Sequence, residues 1–435
     1  MSNKIFSKFF LLILISGVVG SNNVVIAKAV QKNPYDVLGI GCLPVGMWVT
    51  PPDRFRNDAE YKKMAESGIN FVNGFCPNED TDDDIKMALD LSEKNGLRYF
   101  VNRRIVHTAI HAHAQSMNAE LPDEFITGLR KYADHPAFAG ELLMDEPGKP
   151  LIPSVAAFTK SFEMNFPDKM WHVNLFPTYA TGGIQTFSYE DYIDTWLKYT
   201  EPGYLSYDSY PLLKEGGIIN DYYYNLDLVR AKTAERRIPF WTFIQTLSIA
   251  QTPGVPDKRE PSEADIRWQV WSNLAFGAKG IQYFCYWSPG NGAELFSDAL
   301  IDVNGKETTK YSYVKKLNAD IQKTGKILLE CDAAGVIQTA AKPFPLYAPE
   351  MKSFGPVLGV TGDDNITGCF KDKTGKYYVL ISPLTPEKGA DVTLQLDKKM
   401  KYVTLIKGDC TQKVKIKNNR IEQSIGMGEA VLIAF

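Results

Sequence analysis

The segment Phe138-Ala-Gly-Glu-Leu-Leu-Met-Asp-Glu-Pro147 decides the fold that the sequence predicts. Its length and apolar character indicate a buried strand. Pro147 cannot continue a central strand, so Asp145 and Glu146 are expected at the carboxyl end of that strand. In barrels and open α/β sheets this end is where ligands bind, and two adjacent acids there favour acid–base chemistry. The alternative is that Asp145 merely caps a following helix.

Outward from this segment, apolar runs alternate with amphipathic ones from residue 38 to about residue 330. The predicted strands are 38–43, 69–76, 97–102, 138–146, 171–176, 204–210, 239–246 and 280–287. The predicted helices are 57–67, 82–95, 122–133, 153–165, 189–199, 221–236, 262–277 and 312–328. Eight strand–helix units predict an α/β fold, a (β/α)8 TIM barrel. A doubly wound sheet is the alternative.

Beyond residue 330, short strand-like runs alternate with turn signals such as Asp372-Lys-Thr-Gly375. This pattern predicts a small all-β sandwich, antiparallel and ending at the chain terminus. The predicted organisation is therefore a barrel catalytic domain over 34–330 and a β-sandwich domain over 331–435. Cys369 and Cys410 both fall in the second region, and the sequence leaves open whether they pair.

The amino terminus has the form of a secretory signal peptide, predicted over 1–29. Lys4 and Lys8 precede the apolar run Phe9–Val19, which is short for a bilayer span. We therefore expect an exported protein, periplasmic or secreted, with no membrane insertion after cleavage. The net charge is −3 without basic blocks, which argues against nucleic acid as a partner.

The residues at the predicted strand ends mix carboxylates, amides, phenols and indoles. Sugars present apolar C–H faces that stack on aromatic rings and hydroxyls that bond to amides and acids, so the set predicts a carbohydrate partner. No Gly-rich phosphate loop follows a strand, and the sequence indicates no cofactor or metal. The predicted catalytic residues are Glu146, Asp208 and Asp145, and the predicted substrate-binding residues are Trp48, Arg103, Asn174, Tyr207, Tyr210, Gln245 and Trp287.

Leu142-Leu-Met-Asp-Glu-Pro147 resembles the Asn-Glu-Pro signature at the fourth strand of clan A glycoside hydrolases, with Asp145 in place of the Asn. Trp287 resembles the tryptophan that many of these enzymes place under the reacting sugar, and the C-terminal β-region resembles their accessory modules. The resemblance implies that Glu146 is the general acid/base. One departure concerns the nucleophile, a Glu that ends the seventh strand in that clan. Here the seventh strand ends at Gln245, which cannot form a glycosyl ester.

Three sources of a second catalytic group stay open. Asp208 could activate water or attack directly, depending on its distance from Glu146. Asp145-Glu146 is also similar to the Asp-Glu pair of β-N-acetylhexosaminidases, in which the substrate's acetamido group attacks. The loop after the seventh strand could instead bring in Asp257 or Glu260.

The sequence thus predicts a glycoside hydrolase. A non-catalytic glycan-binding protein on a hydrolase scaffold is the main rival, because the acid of the seventh strand is missing. A weaker alternative is a metal-dependent enzyme using His107 and His111, which would share one face of a helix.

Overall fold

The computed structural model describes residues 33–74, 81–290 and 292–435. The predicted signal peptide, 1–29, lies outside the described residues. Residues Asn33–Phe435 form one compact unit, in which eight parallel strands make a nearly closed barrel. The barrel strands are β1 (Val45–Met47), β2 (Phe71–Asn73), β3 (Arg98–Val101), β4 (Phe138–Asp145), β5 (Met170–Leu175), β6 (Leu205–Tyr207), β7 (Phe240–Gln245) and β9 (Gly280–Phe284). A separate antiparallel pair, β8 (Ile249–Ala250) and β10 (Leu295–Phe296), lies in the loops that follow β7 and β9.

Helices follow the barrel strands and cover them. They are α1 (Asp58–Glu66), α2 (Asp82–Lys94), α3 (Arg104–Ala112), α4 (Asp123–Arg130), α5 (Ile152–Asn165), α6 (Thr181–Ile184), α7 (Tyr189–Thr200), α8 (Tyr222–Arg236), α9 (Glu263–Ala275) and α10 (Thr309–Leu328). Two of these helices begin at capping side chains, since the Thr81 side chain accepts from Asp84 N–H and Ser262 forms a capping box with Asp265. The predicted barrel class is confirmed.

The first strand is the exception among the predicted elements. It was expected over 38–43, but β1 begins at Val45. Gly39 and Gly41 have φ of +65° and +68°, so the chain turns there instead of extending. Leu38 packs with Phe71, Phe100 and Trp241 in a cluster apart from the main core, while Gly39 and Gly41 are exposed, so only the ends of the run are buried.

The C-terminal residues form two antiparallel sheets. Their strands are β11 (Cys331–Thr339), β12 (Val357–Gly362), β13 (Asn365–Asp372), β14 (Tyr377–Pro383), β15 (Ala390–Leu396), β16 (Tyr402–Lys407), β17 (Cys410–Lys415), β18 (Arg420–Ile425) and β19 (Val431–Ala434). The sheet orders are β11-β13-β14-β19-β16-β17 and β12-β15-β18. Apolar side chains of both sheets share one core, so the predicted sandwich is confirmed. Cys369 and Cys410 are both free thiols, the first buried and the second exposed.

The larger C-terminal sheet packs directly on the helices of the barrel. Gly368 of β13 approaches α9 so closely that a Cβ would lie 2.0 Å from the backbone oxygen of Ala275. On the neighbouring helix, the Tyr223 hydroxyl donates to the Leu384 carbonyl over 2.6 Å. The sandwich therefore covers the outer side of α8 and α9, while the domain boundary at residue 330 stays a prediction.

Close approach of β4 to β5 requires a glycine at position 140. Gly140 has φ of +154°, and a Cβ there would lie 1.6 Å from the Met170 backbone oxygen. We expect Gly140→Ala to lower the free energy of unfolding by about 3 kcal/mol or more, because β5 would have to move away from β4. Urea denaturation measures the effect. Gly203→Ala, whose Cβ would meet open space, is the control and should change stability by less than about 0.5 kcal/mol. Equal midpoints for the two variants would contradict the packing described.

Candidate active site

A cavity of about 230 Å³ opens at the carboxyl ends of the barrel strands. Ligand pockets for larger molecules span roughly 300–1,000 Å³, so the space suits one sugar ring better than an extended chain. Its polar lining consists of Asp145, Glu146, Asn174, Asp208, Thr252, Lys258 and Glu294. Its aromatic lining consists of Trp48, Phe176, Tyr179, Tyr210, Phe243, Phe284 and Phe296.

The end of β4 places two carboxylates in this cavity. Asp145 is the last residue of the strand, and its neighbour across the ladder is Asn174 of β5. Glu146 N–H still donates to Asn174 O over 2.8 Å, but its φ of +48° turns the chain sharply. Pro147 follows, so the ladder stops there. The turn brings adjacent acids, which would face opposite ways in a strand, to the same cavity.

The third carboxylate, Asp208, follows β6 and is 4% exposed. Asn174 Nδ2 donates to Asp208 Oδ1 over 2.9 Å. The Asn174 amide oxygen accepts from Ser206 Oγ over 3.0 Å, and Ser206 accepts from Gln282 Nε2 over 2.9 Å. Asn73 Nδ2 donates to Gln282 Oε1 over 2.8 Å. This buried chain of hydrogen bonds crosses the barrel and orients the Asn174 amide toward Asp208.

The carboxyl groups of Glu146 and Asp208 are in hydrogen-bonding contact, and Asp145 lies beside them. Burial raises the pKa of Glu146 well above its ordinary value, and the charges of Asp208 and Asp145 add to the effect. Burial and the charge of Asp208 raise the pKa of Asp145 to about 7. Burial raises the pKa of Asp208 only to about 6, because hydrogen bonds from Glu146 and Asn174 favour its ionised form. Near neutral pH the cluster therefore retains a proton on Glu146 while Asp208 is ionised.

The structure brings six of the ten predicted site residues together around the cavity. They are Trp48, Asp145, Glu146, Asn174, Asp208 and Tyr210. The other four, Arg103, Tyr207, Gln245 and Trp287, do not line it.

Gln245 has a structural position at the end of β7. Its Nε2 donates to the carbonyl oxygens of Leu247 over 3.0 Å and Arg259 over 2.9 Å. The side chain is fully buried and ties down the loop that follows the strand. A glutamate here would turn carboxylate oxygens toward two carbonyl oxygens, which explains physically why an amide occupies the position.

Trp287, Arg103 and Tyr207 are held by neighbours away from the cavity. Trp287 packs on Phe55 with ring centroids 4.7 Å apart, and the cavity instead has Trp48 in its wall. Arg103 pairs with Asp82 at the start of α2 over 3.6 Å. Tyr207 points into the barrel wall, where its ring meets Phe240.

The loop after β7 does not supply an acid to the cavity. Asp257 pairs with Lys214 over 3.0 Å, and Glu260 pairs with Lys310. Among the described residues, no three His, Cys, Asp or Glu side chains are placed to hold a metal ion. No helix in the described part of the chain is long and apolar enough to cross a membrane.

Sequence reasoning missed several residues of the site, some in the cavity lining and some in the hydrogen-bond chain that holds Asn174. Lys258 and Glu294 come from long loops, and their place depends on the pairing of β8 with β10 and of Lys258 with Ile249. Ser206 and Gln282 carried a detectable signal, because each is a polar residue within an otherwise apolar barrel strand. Such positions indicate side chains that face the barrel interior.

One family model matches within the barrel: glycoside hydrolase family 42, described as β-galactosidase, over residues 164–324. The match runs from the end of α5 into α10 and therefore excludes Asp145 and Glu146. A comparison with curated proteins finds no match. Over the matched residues, this similarity supports the predicted enzyme class, a glycosidase.

Two of the solved structures that resemble this chain share its fold at low sequence identity. A catalytic mutant of Gan42B, a GH42 β-galactosidase from G. stearothermophilus, has a TM-score of 0.58 at 9% identity, with 91% of this chain and 98% of that one covered. A family 5 glycoside hydrolase from Bacteroides vulgatus has a TM-score of 0.53 at 12% identity, with coverages of 90% and 88%. For a β-galactosidase from the psychrophilic Marinomonas ef1, the TM-score is 0.46 at 13% identity. The match covers 66% of this chain and 62% of that one, so this chain spans less than two thirds of that protein's length.

The raised pKa of Asp145 has a consequence for stability. An unfolded aspartate titrates near pH 4, so between about pH 4 and pH 7 the folded protein binds this proton more tightly, and stability falls as the pH rises. We expect Asp145→Asn to raise the melting temperature at pH 8 and to change it little at pH 4, where the carboxyl is neutral anyway. Thermal unfolding followed by circular dichroism measures both values.

The control for this variant is Asp257→Asn, which removes the charge of a half-exposed carboxylate paired with Lys214. It should not stabilise the protein at pH 8. A gain for Asp145→Asn that is as large at pH 4 as at pH 8 would show that charge burial is not its cause.

Proposed function

We propose that this glycosidase cleaves the glycosidic bonds of a carbohydrate with Glu146 as general acid/base and Asp208 as the second catalytic carboxylate. The observation that carries the proposal is the buried, hydrogen-bonded pair of these two side chains, both of which line the cavity. Their different environments push their pKa values apart, which is the usual way in which one carboxyl serves as acid while its neighbour is ionised.

In the proposed reaction, Glu146 donates its proton to the oxygen of the departing group as the bond to the anomeric carbon breaks. A water molecule then bonds to that carbon and gives a proton to the Glu146 carboxylate, which restores the acid. Asp208 is ionised and accepts from Asn174, so it can stabilise the positive charge that develops on the sugar ring. Asp145 adds further negative charge beside them. Trp48 and Phe243, in edge-to-face contact with centroids 5.5 Å apart, offer an aromatic wall for the sugar.

The contact between Glu146 and Asp208 restricts the mechanism. Hydrogen-bonded carboxyl oxygens lie about 2.5–3.0 Å apart. Direct attack by a second carboxylate needs roughly 5–5.5 Å between the two groups, and activation of water needs roughly 6.5–9.5 Å. Asp208 can therefore play either part only if the entering sugar separates the pair.

The same contact favours a second candidate, substrate-assisted cleavage of an N-acetylhexosaminide. There the second carboxylate orients the acetamido group and does not act across the ring from the acid. The acetamido oxygen bonds to the anomeric carbon, Glu146 protonates the departing oxygen, and water later opens the resulting ring with Glu146 as base. Asp208 or Asp145 would hold the acetamido N–H.

The cavity supports a small carbohydrate substrate, and the amino terminus supports an exported enzyme. The size of the cavity supports action on a chain end or a short saccharide. The family description makes β-galactosides the first substrates to assay. The basic and apolar start of the chain, Lys4 to Val19, supports export to the periplasm or medium.

The direct test assays a panel of aryl α- and β-glycosides, including N-acetylhexosaminides, with three variants. We expect Glu146→Gln to lower kcat/KM by about 10²–10⁴, the usual contribution of a general acid, and Asp208→Asn to lower it to a similar extent. Asp257→Asn, an acid outside the cavity, should retain full activity. Activity confined to N-acetylhexosaminides would select the substrate-assisted mechanism. No hydrolysis of any glycoside, with glycan binding that survives both substitutions, would contradict the proposal and favour a binding protein.

The pH dependence of kcat/KM tests the two assigned protonation states. We expect the rate to rise as Asp208 loses its proton near pH 6 and to fall at higher pH as Glu146 loses its own. An aryl glycoside with an acidic phenol needs little help from an acid, so residual activity of Glu146→Gln should be measurable on it. That variant should lose the alkaline limb and keep the acidic one. An unchanged alkaline limb would assign it to another group.

A further inference from the structure

Four lysines are buried in the described part of the chain, and one differs from the rest. The ammonium groups of three of them have acceptors: Lys232 bonds to Glu190 and Asp194, Lys279 to the Leu328 and Cys331 carbonyls, and Lys310 to Glu260 and the Asp298 carbonyl. Lys258 is 3% exposed, and its Nζ has no hydrogen-bond acceptor among the described residues. Lys258 is one of the residues that line the cavity.

The main chain fixes the position of Lys258 from two sides. Its N–H donates to Ile249 O over 2.7 Å, and Ile249 N–H donates to Lys258 O over 3.2 Å. On the other side it forms a bridge with Leu213. The ammonium then lies over the Tyr179 ring, 4.5 Å from its centroid. Lys258 is thus held by the fold at the wall of the cavity, beside Tyr179, unlike a lysine on a surface loop.

The electrostatic surroundings leave this cation incompletely compensated. Asp208 and Asp221 are the carboxylates that favour its charged form, but neither donates or accepts a hydrogen bond with it. Burial lowers the pKa of Lys258 to about 8, so most molecules still carry the charge at neutral pH. The Asp208 carboxylate is already bonded to Asn174 and Glu146. A buried ammonium without acceptors is unfavourable, and a ligand that supplies an anionic oxygen would relieve this cost.

We propose that Lys258 binds an anionic substituent of the substrate, so that the enzyme acts on acidic sugars. The shared chemistry is a negatively charged oxygen on the sugar, either the carboxylate of a uronic acid or a sulfate ester. The Tyr179 ring beside it would pack against the C–H face of the same sugar. A neutral hydroxyl would need only a neutral donor, whereas charge-assisted bonds to an anion are about twice as strong as neutral ones. The proposal names the substrate class for the function proposed above and rests on it.

Binding to the intact protein tests this without requiring hydrolysis. Isothermal titration would compare galacturonate with galactose, glucuronate with glucose, and galactose 6-sulfate with galactose. We expect at least one acidic sugar to bind roughly tenfold or more tightly than its neutral counterpart, about the difference that one charge-assisted bond provides. Lys258→Met should abolish this preference, so that each acidic sugar binds no more tightly than its neutral counterpart. The carboxylate and sulfate arms show which anion the site takes.

Lys214→Met is the matched control, because Lys214 is an exposed lysine that pairs with Asp257 nearby. It should keep the full preference for the acidic sugar. Lys258→Met removes an unpaired buried charge, so its melting temperature should be equal to that of the wild type or higher, which excludes misfolding as the cause of lost binding. A preference for acidic sugars that survives in Lys258→Met, or no preference at all, would overturn the proposal and leave Lys258 as a partner of Asp221 through water.

The outcomes also separate this proposal from the assignment of Glu146. Lys258-dependent binding of an acidic sugar without hydrolysis of any glycoside would remove the catalytic proposal and keep the binding site. The opposite outcome is Glu146-dependent hydrolysis that is at least as efficient on neutral glycosides as on the matching acidic ones. It would remove the proposed anion site and keep the catalytic proposal.

Discussion

The central constraint on this molecule is the burial of three carboxyl groups against one another at the mouth of a barrel. Asp145, Glu146 and Asp208 cannot all be ionised where water is scarce and like charges are close. Hydrogen bonds from Glu146 and Asn174 lower the pKa of Asp208 relative to that of Glu146, and so select which group is ionised. The rest of the site follows from that selection, since a proton held on Glu146 beside an ionised Asp208 is an acid–base pair at neutral pH.

The remaining architecture keeps this cluster in place. The polar chain from Asn73 through Gln282 and Ser206 fixes the orientation of Asn174, because each amide or hydroxyl has one partner on each side. At β7, the strand end that carries the nucleophile in clan A enzymes instead has Gln245, which anchors the following loop. Gln245 bonds to the Arg259 carbonyl, one residue after Lys258. The same loop therefore explains the structural role of Gln245 and the position of Lys258 at the cavity.

Much of the fold could be predicted from the sequence, because apolar runs and helix caps are local signals. The strand expected over 138–146 is β4, Phe138–Asp145, and the helix expected over 189–199 is α7, Tyr189–Thr200. The strand expected over 38–43 failed because two glycines with positive φ turn the chain, which an apolar run does not reveal. The acids of the site were predictable since they end apolar strands. Trp287 was not separable from Trp48, because both follow barrel strands and only the tertiary fold determines which faces the cavity. Lys258 depended on pairing with two distant segments, which no local pattern encodes.

The protonation state of Glu146 is the most direct test of this account. Infrared difference spectroscopy at pH 7, comparing the wild type with Glu146→Gln, detects the carbonyl stretch of a protonated carboxylic acid apart from the bands of ionised carboxylates. We expect the protonated carboxyl signal of the wild type to lose the contribution of Glu146 in Glu146→Gln, while Asp145, whose pKa is about 7, retains its own. In Asp257→Asn the signal should persist in full. A wild-type spectrum without such a signal, or one that Glu146→Gln leaves unchanged, would contradict the claim that the buried cluster holds its proton on Glu146.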